Sequence, residues 1–171
     1  MRKAAVLAIV CSFSLAACLA PGADSNKRPP KLSEGRMNMA KIGGKPLPVF
    51  EFNARVAEED NKIVKSKVYF STEGEMYKQG DEGAELIDPK SLDGEYVRNV
   101  HQLRATVDPA KDEALATYLN SPEAKVAFQW EVEWSAPEST DVSKTRSPVY
   151  VTDNKTIASA GLAREIPAGG K

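Results

Sequence analysis

The chain has 171 residues, a length that suits one domain with extensions. Hydrophobic residues make up 42% and charged residues 27%, which excludes a wholly disordered chain and a protein of many membrane spans. The formal net charge is -1, so no basic field draws the protein to nucleic acid, and no nucleic-acid partner is expected.

Arg2 and Lys3 open the chain, followed by the uncharged and mostly apolar stretch from Ala4 to Leu15. That stretch has the length of a secretory leader and falls short of the roughly 18–20 residues a membrane-spanning helix needs. It ends in Leu15-Ala16-Ala17-Cys18: an aliphatic residue, two small residues that let a peptidase approach the backbone, and a thiol. The arrangement resembles the lipobox of bacterial lipoproteins, and the resemblance is confined to about the first 20 residues, as for a removable targeting segment. It implies a leader over 1–17, cleavage between Ala17 and Cys18, and lipid on Cys18. Cys11 fits less well, because Val10 stands where a small residue is needed. Several acyl chains anchor stably, at about 0.8 kcal/mol for each buried methylene. Leu19 stands where an aspartate resembles an inner-membrane retention signal. The expected address is therefore the outer membrane facing the periplasm, or the cell surface.

Loss of the leader leaves 21 basic against 24 acidic side chains and removes Cys11. Lipid occupies Cys18. With no other cysteine, the mature chain has no disulfide and must fold on its core alone.

Residues 18–47 read as a lipidated flexible tether. Pro21, Pro29, Pro30, Gly35, Gly43, Gly44 and Pro46 punctuate it, and few large apolar side chains offset the entropy of ordering it. A β-rich domain is expected over 48–167, with a tail at 168–171. Phe50, Phe52, Ala54 and Val56 alternate with polar neighbours as a strand does, and Ile63 to Ser71 repeats the pattern. The Gln79–Gly83 stretch reads as a turn, and Ala84 to Ile87 as a short strand. Tyr96 to Val107 reads as strand from its β-branched content. A helix is expected from Asp108 and Pro109, with Ala110, Ala114, Leu115, Tyr118 and Leu119 on its apolar face. Val126, Phe128, Trp130, Val132 and Trp134 form the cleanest alternation in the chain. A hairpin is expected from Val149–Val151 across Asp153-Asn154 into 156–166. The expected fold is mainly β (α+β): an antiparallel β-sandwich or curved sheet with one short helix.

Chemistry-bearing motifs are sparse. His101 is the sole histidine and has no Gly-x-Ser-x-Gly elbow beside it. No usual zinc ligand set can be assembled, and Glu58-Glu59-Asp60 and Asp81-Glu82 lack calcium-loop spacing. No catalytic residue, metal or cofactor is assigned. Trp130 and Trp134 share a strand face at about 13 Å separation. Exposed, they would stack on sugars or anchor a partner; on one face with Val126, Phe128 and Val132, they read as core. Glu131 and Glu133 then face water or a basic partner.

Two classes of function follow. One is a lipid-anchored, non-enzymatic protein-binding domain with an envelope protein as partner: an envelope or secretion assembly subunit, or a toxin immunity or inhibitor protein. The Pro46–Phe52 stretch is faintly similar to the first strand of the small sandwich lipoproteins of type VI secretion, which implies a fold analogy alone. The other is an envelope hydrolase acting on glycan or peptide, which needs convergent carboxylates in a cleft. A carrier of an apolar ligand needs an open interior instead.

Overall fold

The computed structural model describes residues 28–42, 49–57, 60–108, 111–159 and 162–166. Within them the chain forms strands β1 (Lys31–Ile42), β2 (Val49–Ala57), β3 (Lys62–Ser71), β4 (Lys90–Val97) and β5 (Gln102–Val107). Helix α1 (Glu113–Leu119) precedes β6 (Lys125–Ser135), β7 (Ser143–Arg146) and β8 (Tyr150–Asp153), and α2 (Asn154–Ser159) precedes β9 (Leu162–Ile166). The strands make one curled sheet, a half-barrel, in the order β7-β6-β3-β4-β5-β2-β1-β9. Strand β8 lies on the same edge of β6 as β7, further along it. Neighbours are antiparallel except β1 and β9, which run parallel. The fold is thus mainly β with a curved sheet, and it carries two short helices where one was expected.

The even-numbered residues of β2, of β6 and of β3 from Ser66 onward point into the curl, while a register shift in β3 puts Ile63 inward and leaves Val64 exposed. Phe52, Phe70, Phe128, Trp130, Val68 and Leu103 are fully buried there. Phe52 stacks on Phe70 with ring centroids 5.3 Å apart and meets Phe128 edge-on at 5.1 Å, and Phe128 touches Tyr150 at 5.3 Å. Helix α1 adds Leu115 and Leu119 to the same core.

Two close backbone approaches let the sheet curl. Strand β4 pairs with β3 through Lys90–Gly94 and with β5 through Glu95–Val97, so it turns the corner between two halves of the sheet. A Cβ on Gly94 at that corner would sit 2.5 Å from Cζ3 of Trp130. On the far side, a bulge at Glu34–Gly35 interrupts the β1–β2 register, with Glu34 at φ 53°. Gly35 there lies against the ring of Tyr150 on β8. The bulge brings the two ends of the sheet together and strengthens the local twist.

Several expectations need correction. Residues 31–42, assigned to the tether, are strand β1, so the folded domain extends at least back to Lys31. Leu32 packs opposite Val56 and Met37 opposite Phe52, but the bulge between them shifts the phase by one residue and hides the alternation. Ala84 to Ile87 is irregular chain, not strand. Tyr96 to Val107 is broken by a 3₁₀ turn at Arg98–Val100 and by His101 in the left-handed region (φ 49°). The helix starts later than Asp108: the carbonyl of Asp108 accepts from Lys111 N at 2.9 Å, closing a turn. Asp112 is the cap, its Oδ1 accepting from Leu115 N at 2.9 Å. Pro109 and Ala110 lie outside the described residues. The hairpin expected after Val149–Val151 does not form; α2 intervenes and β9 pairs with β1 instead of β8. The leader, the cysteines and the tail also lie outside the described residues.

Candidate functional site: a charged sheet face and its pocket

The convex face of β4, β3, β6 and β7 carries the odd-numbered residues of β6 and those of β3 from Lys65 onward, and pairing register sorts them into rows. One row runs Arg146–Glu131–Lys67–Asp93 across all four strands. The next runs Lys144–Glu133–Lys65. Sign alternates at every step, the arrangement in which cross-strand neighbours attract. Arg146 Nε donates to Glu131 Oε2 at 2.9 Å. Lys144 Nζ reaches Glu131 Oε1 at 3.4 Å and Glu133 Oε1 at 3.2 Å. Lys67 Nζ lies 3.8 Å from Asp93 Oδ1.

Partial burial works to raise the pKa of Glu131, but the hydrogen bonds from Arg146 and Lys144 outweigh it and hold the carboxyl below its ordinary value. The Lys144 ammonium is shifted up, first by its bond to Glu133 and then by that to Glu131. Both groups therefore stay charged across the physiological range.

The other half of this face is apolar and roofed. Ala127 and Val149 pack with Leu86, flanked by Tyr69, Tyr77, Ala84 and Val151. Residues 73–89 form the roof and are tied down at several points. The Tyr77 hydroxyl accepts from Ile87 N at 2.6 Å. Gly80 N donates to the Val149 carbonyl at 2.8 Å, Val149 N to the Asp81 carbonyl at 2.9 Å, and Val151 N to Gln79 Oε1 at 2.7 Å. The roof is thus tied by backbone bonds to Val149, just before β8, and by the Gln79 side chain to β8 itself.

A pocket of about 370 Å³ opens where the roof meets the charged rows. Residues 82–85 form one wall, with the Glu82 and Glu85 side chains exposed at the rim; Gln129, Arg146 and the Ser147-Pro148 turn form the other. Gln129 is 5% exposed. Its Nε2 donates to the Ser147 carbonyl at 3.3 Å. The Arg146 guanidinium is already engaged, bonded to Glu131 and lying over the Tyr69 ring at 5.6 Å from its centroid.

The structure separates the residues that the sequence singled out. Trp130 and Trp134 lie on the concave face, 0% and 4% exposed, inside the core. Trp134 Nε1 donates to Thr145 Oγ1 at 2.9 Å. Neither indole is available to a sugar or a partner. Glu131 and Glu133 lie on the convex face, bound to Lys144 and Arg146. The tip of the β4–β5 hairpin holds His101, whose Nδ1 lies 3.1 Å from the Tyr96 hydroxyl. Among the described residues no group of three His, Cys, Asp or Glu is placed to hold a metal ion, and no helix is long and apolar enough to cross a membrane. The pocket and the Lys144–Arg146 pair were missed from sequence. A usable signal was present, since Lys144-x-Arg146 has the same spacing as Glu131-x-Glu133 with opposite sign. No protein-family model matches the chain, and no curated protein sequence matches it.

Proposed function

We propose that the chain is a lipoprotein, anchored through lipid on Cys18 to a membrane, by preference the outer membrane, and that its curled β domain binds an envelope protein without catalysing a reaction. The observation that carries the anchor is the Leu15-Ala16-Ala17-Cys18 run directly after an apolar leader. Support for a binding module comes from the domain. Its interior is filled by the Phe52, Phe70, Phe128 and Trp130 side chains, which speaks against carriage of an apolar ligand inside the curl. Its convex face instead presents fixed charges and a pocket beside a sheet edge, and such fixed charges favour specificity and encounter rate.

The anchor is tested by expressing the full chain in a bacterium fed an alkyne fatty acid. Wild type is expected to incorporate label, and Cys18→Ala to lose it and remain uncleaved or soluble. Label retained by Cys18→Ala refutes the assignment. The binding reading is tested by cross-linking the full chain in intact envelopes. Glycan or peptide cleavage by the purified chain, with no specific cross-linked protein, would favour a hydrolase instead.

A further inference from the structure

Among the described residues, four that are not glycine have a positive φ: Glu34, Asp88, His101 and Glu138. Three of them are explained locally. Glu34 sits in the β1 bulge. His101 closes the 3₁₀ turn, its N–H bonded to the Arg98 carbonyl at 3.2 Å. Glu138 lies in a turn that Ser139 N closes on the Ala136 carbonyl at 3.1 Å. Asp88, at φ 43°, lies in no such closed turn, and it precedes Pro89. A residue before proline is normally confined to extended backbone, and a left-handed residue that carries a Cβ is uncommon anywhere. The backbone at Asp88 is therefore strained.

The strain is held from both sides. Leu86 packs on Ala127 and Val149, and Ile87 N is bonded to the Tyr77 hydroxyl. Beyond the bond, Lys90 pairs with Phe70 on β3, and its Nζ reaches Asp112 Oδ2 at 3.2 Å. Asp88, Pro89 and Lys90 are exposed, so water reaches the peptide between them. The same dipeptide recurs at Asp108-Pro109. Asp108 is not among the residues with positive φ, and its carbonyl accepts from Lys111 N at 2.9 Å. One chain thus carries a strained aspartyl-prolyl bond and an internal control.

Such bonds are labile in acid, because the carboxylate lies next to its own main-chain carbonyl and the proline nitrogen leaves readily. We propose that Asp88–Pro89 is a self-cleavage site, and that the cut frees the pocket wall at 82–85 from β4. A side-chain oxygen of Asp88 bonds to the Asp88 carbonyl carbon, and the bond from that carbon to Pro89 N breaks. The nitrogen takes a proton from solvent and leaves as a secondary amine. The five-membered anhydride left behind takes up one water and becomes an Asp88 with two carboxyl groups. Breaking the bond discharges the strain, so this site outruns the relaxed one. The pieces 1–88 and 89–171 stay joined through the pairing of β3 with β4 and β6 and of β2 with β5. The wall then hangs from the Gln79–Asp81 side alone, and the pocket opens at Glu85.

The test is intact-mass spectrometry of the full chain in nonionic detergent. The buffer is the most acidic in which circular dichroism still reports the native sheet. Cleavage at Asp88–Pro89 is expected to run at least about fivefold faster than at Asp108–Pro109, a ratio equivalent to about 1 kcal/mol. In urea the strain is gone, and the two bonds should cleave at comparable rates. Asp88→Ala removes the attacking carboxylate and should abolish the cut. Pro89→Ala should slow it at least about fivefold. In the nicked protein, amide hydrogen exchange over 82–87 should rise roughly tenfold or more while that of β6 stays unchanged. Should either variant not fold, the two bonds of the native chain still decide the matter. Equal cleavage of both bonds in the folded chain, a preference that persists in urea, or a cut undiminished in Asp88→Ala overturns the inference. So does an intact Asp88–Pro89 bond over a time in which the urea sample is cut. Unchanged exchange over 82–87 in the nicked protein overturns the release of the wall. None of these outcomes bears on the lipid anchor or on protein binding.

Discussion

Substituting alanine for Gly35 should destabilise the domain, although the same change in an ordinary strand would be neutral or helpful. A Cβ there would lie 2.1, 2.2 and 2.4 Å from Cδ2, Cγ and Cε2 of Tyr150, where ordinary contact begins near 3.4 Å. Something must therefore move by more than an ångström. The ring has little freedom: Tyr150 is 4% exposed and backed by Phe128 at 5.3 Å between centroids. Overpacking of this kind costs about 1–3 kcal/mol. Against it stands a gain of about 0.4–1 kcal/mol from the lower backbone entropy of the unfolded chain. The net expected loss is about 1 kcal/mol, which in urea, at a slope of about 2 kcal/mol per molar, lowers the unfolding midpoint by roughly 0.5 M. A double-mutant cycle isolates the cause. In a Tyr150→Ala background, Gly35→Ala should cost nothing further. A midpoint unchanged by Gly35→Ala, or a loss that persists without the tyrosine ring, would show that the bulge does not depend on this approach.

Tyr118→Phe should lower the urea midpoint by an amount equivalent to about 1–2 kcal/mol, because the hydroxyl accepts from Lys125 N at 3.0 Å and lies 2.8 Å from the Thr72 carbonyl. An unchanged midpoint would mean that solvent replaces it. Glu131 titrates below its ordinary value of 4.5 in the folded chain. A depressed carboxyl stabilises the fold above its unfolded pKa, and that contribution is lost as pH falls through the folded one. The stability gap between wild type and Glu131→Gln should thus be full near pH 7 and shrink steadily below 4.5. A gap that is the same in acid would remove the Arg146–Glu131–Lys144 cluster as its source.

What was legible in the sequence follows from where residues obey a single period. The apolar phase of Val126–Trp134 runs without interruption because β6 itself carries no extra residue, the shift in its pairing with β3 falling on β3 between Ile63 and Lys65, and Phe50–Val56 pairs with β5 without a shift. Both tryptophans declared themselves core on that ground. Strand β1 stayed hidden because one extra residue at the bulge inverts its phase, so Leu32 and Met37 do not share a parity although both face inward. Gly35, read as a tether residue, is instead the point where an aromatic ring meets the backbone. The Val149–Ile166 stretch misled because local turn residues suggested a hairpin, whereas β9 finds its partner at the other end of the domain. The charged rows were half visible: Glu131 and Glu133 were noticed, but their partners lie on a four-residue polar strand with no hydrophobic signature. A pocket wall made of loop residues 82–85 has no period at all.

The parallel pairing of β1 with β9 also orders events in time. Met39 is opposite Leu162 and Ile42 opposite Ile166, so one flank of the first strand waits for the last. The glycine at its bulge waits likewise for Tyr150. In a chain that emerges from its amino end, β1 and β2 can zip early, but the curl has no means of shutting until nearly everything downstream has followed. Contacts this distant in sequence slow folding. If the chain is exported as proposed, that delay keeps it open for as long as it must remain threadable.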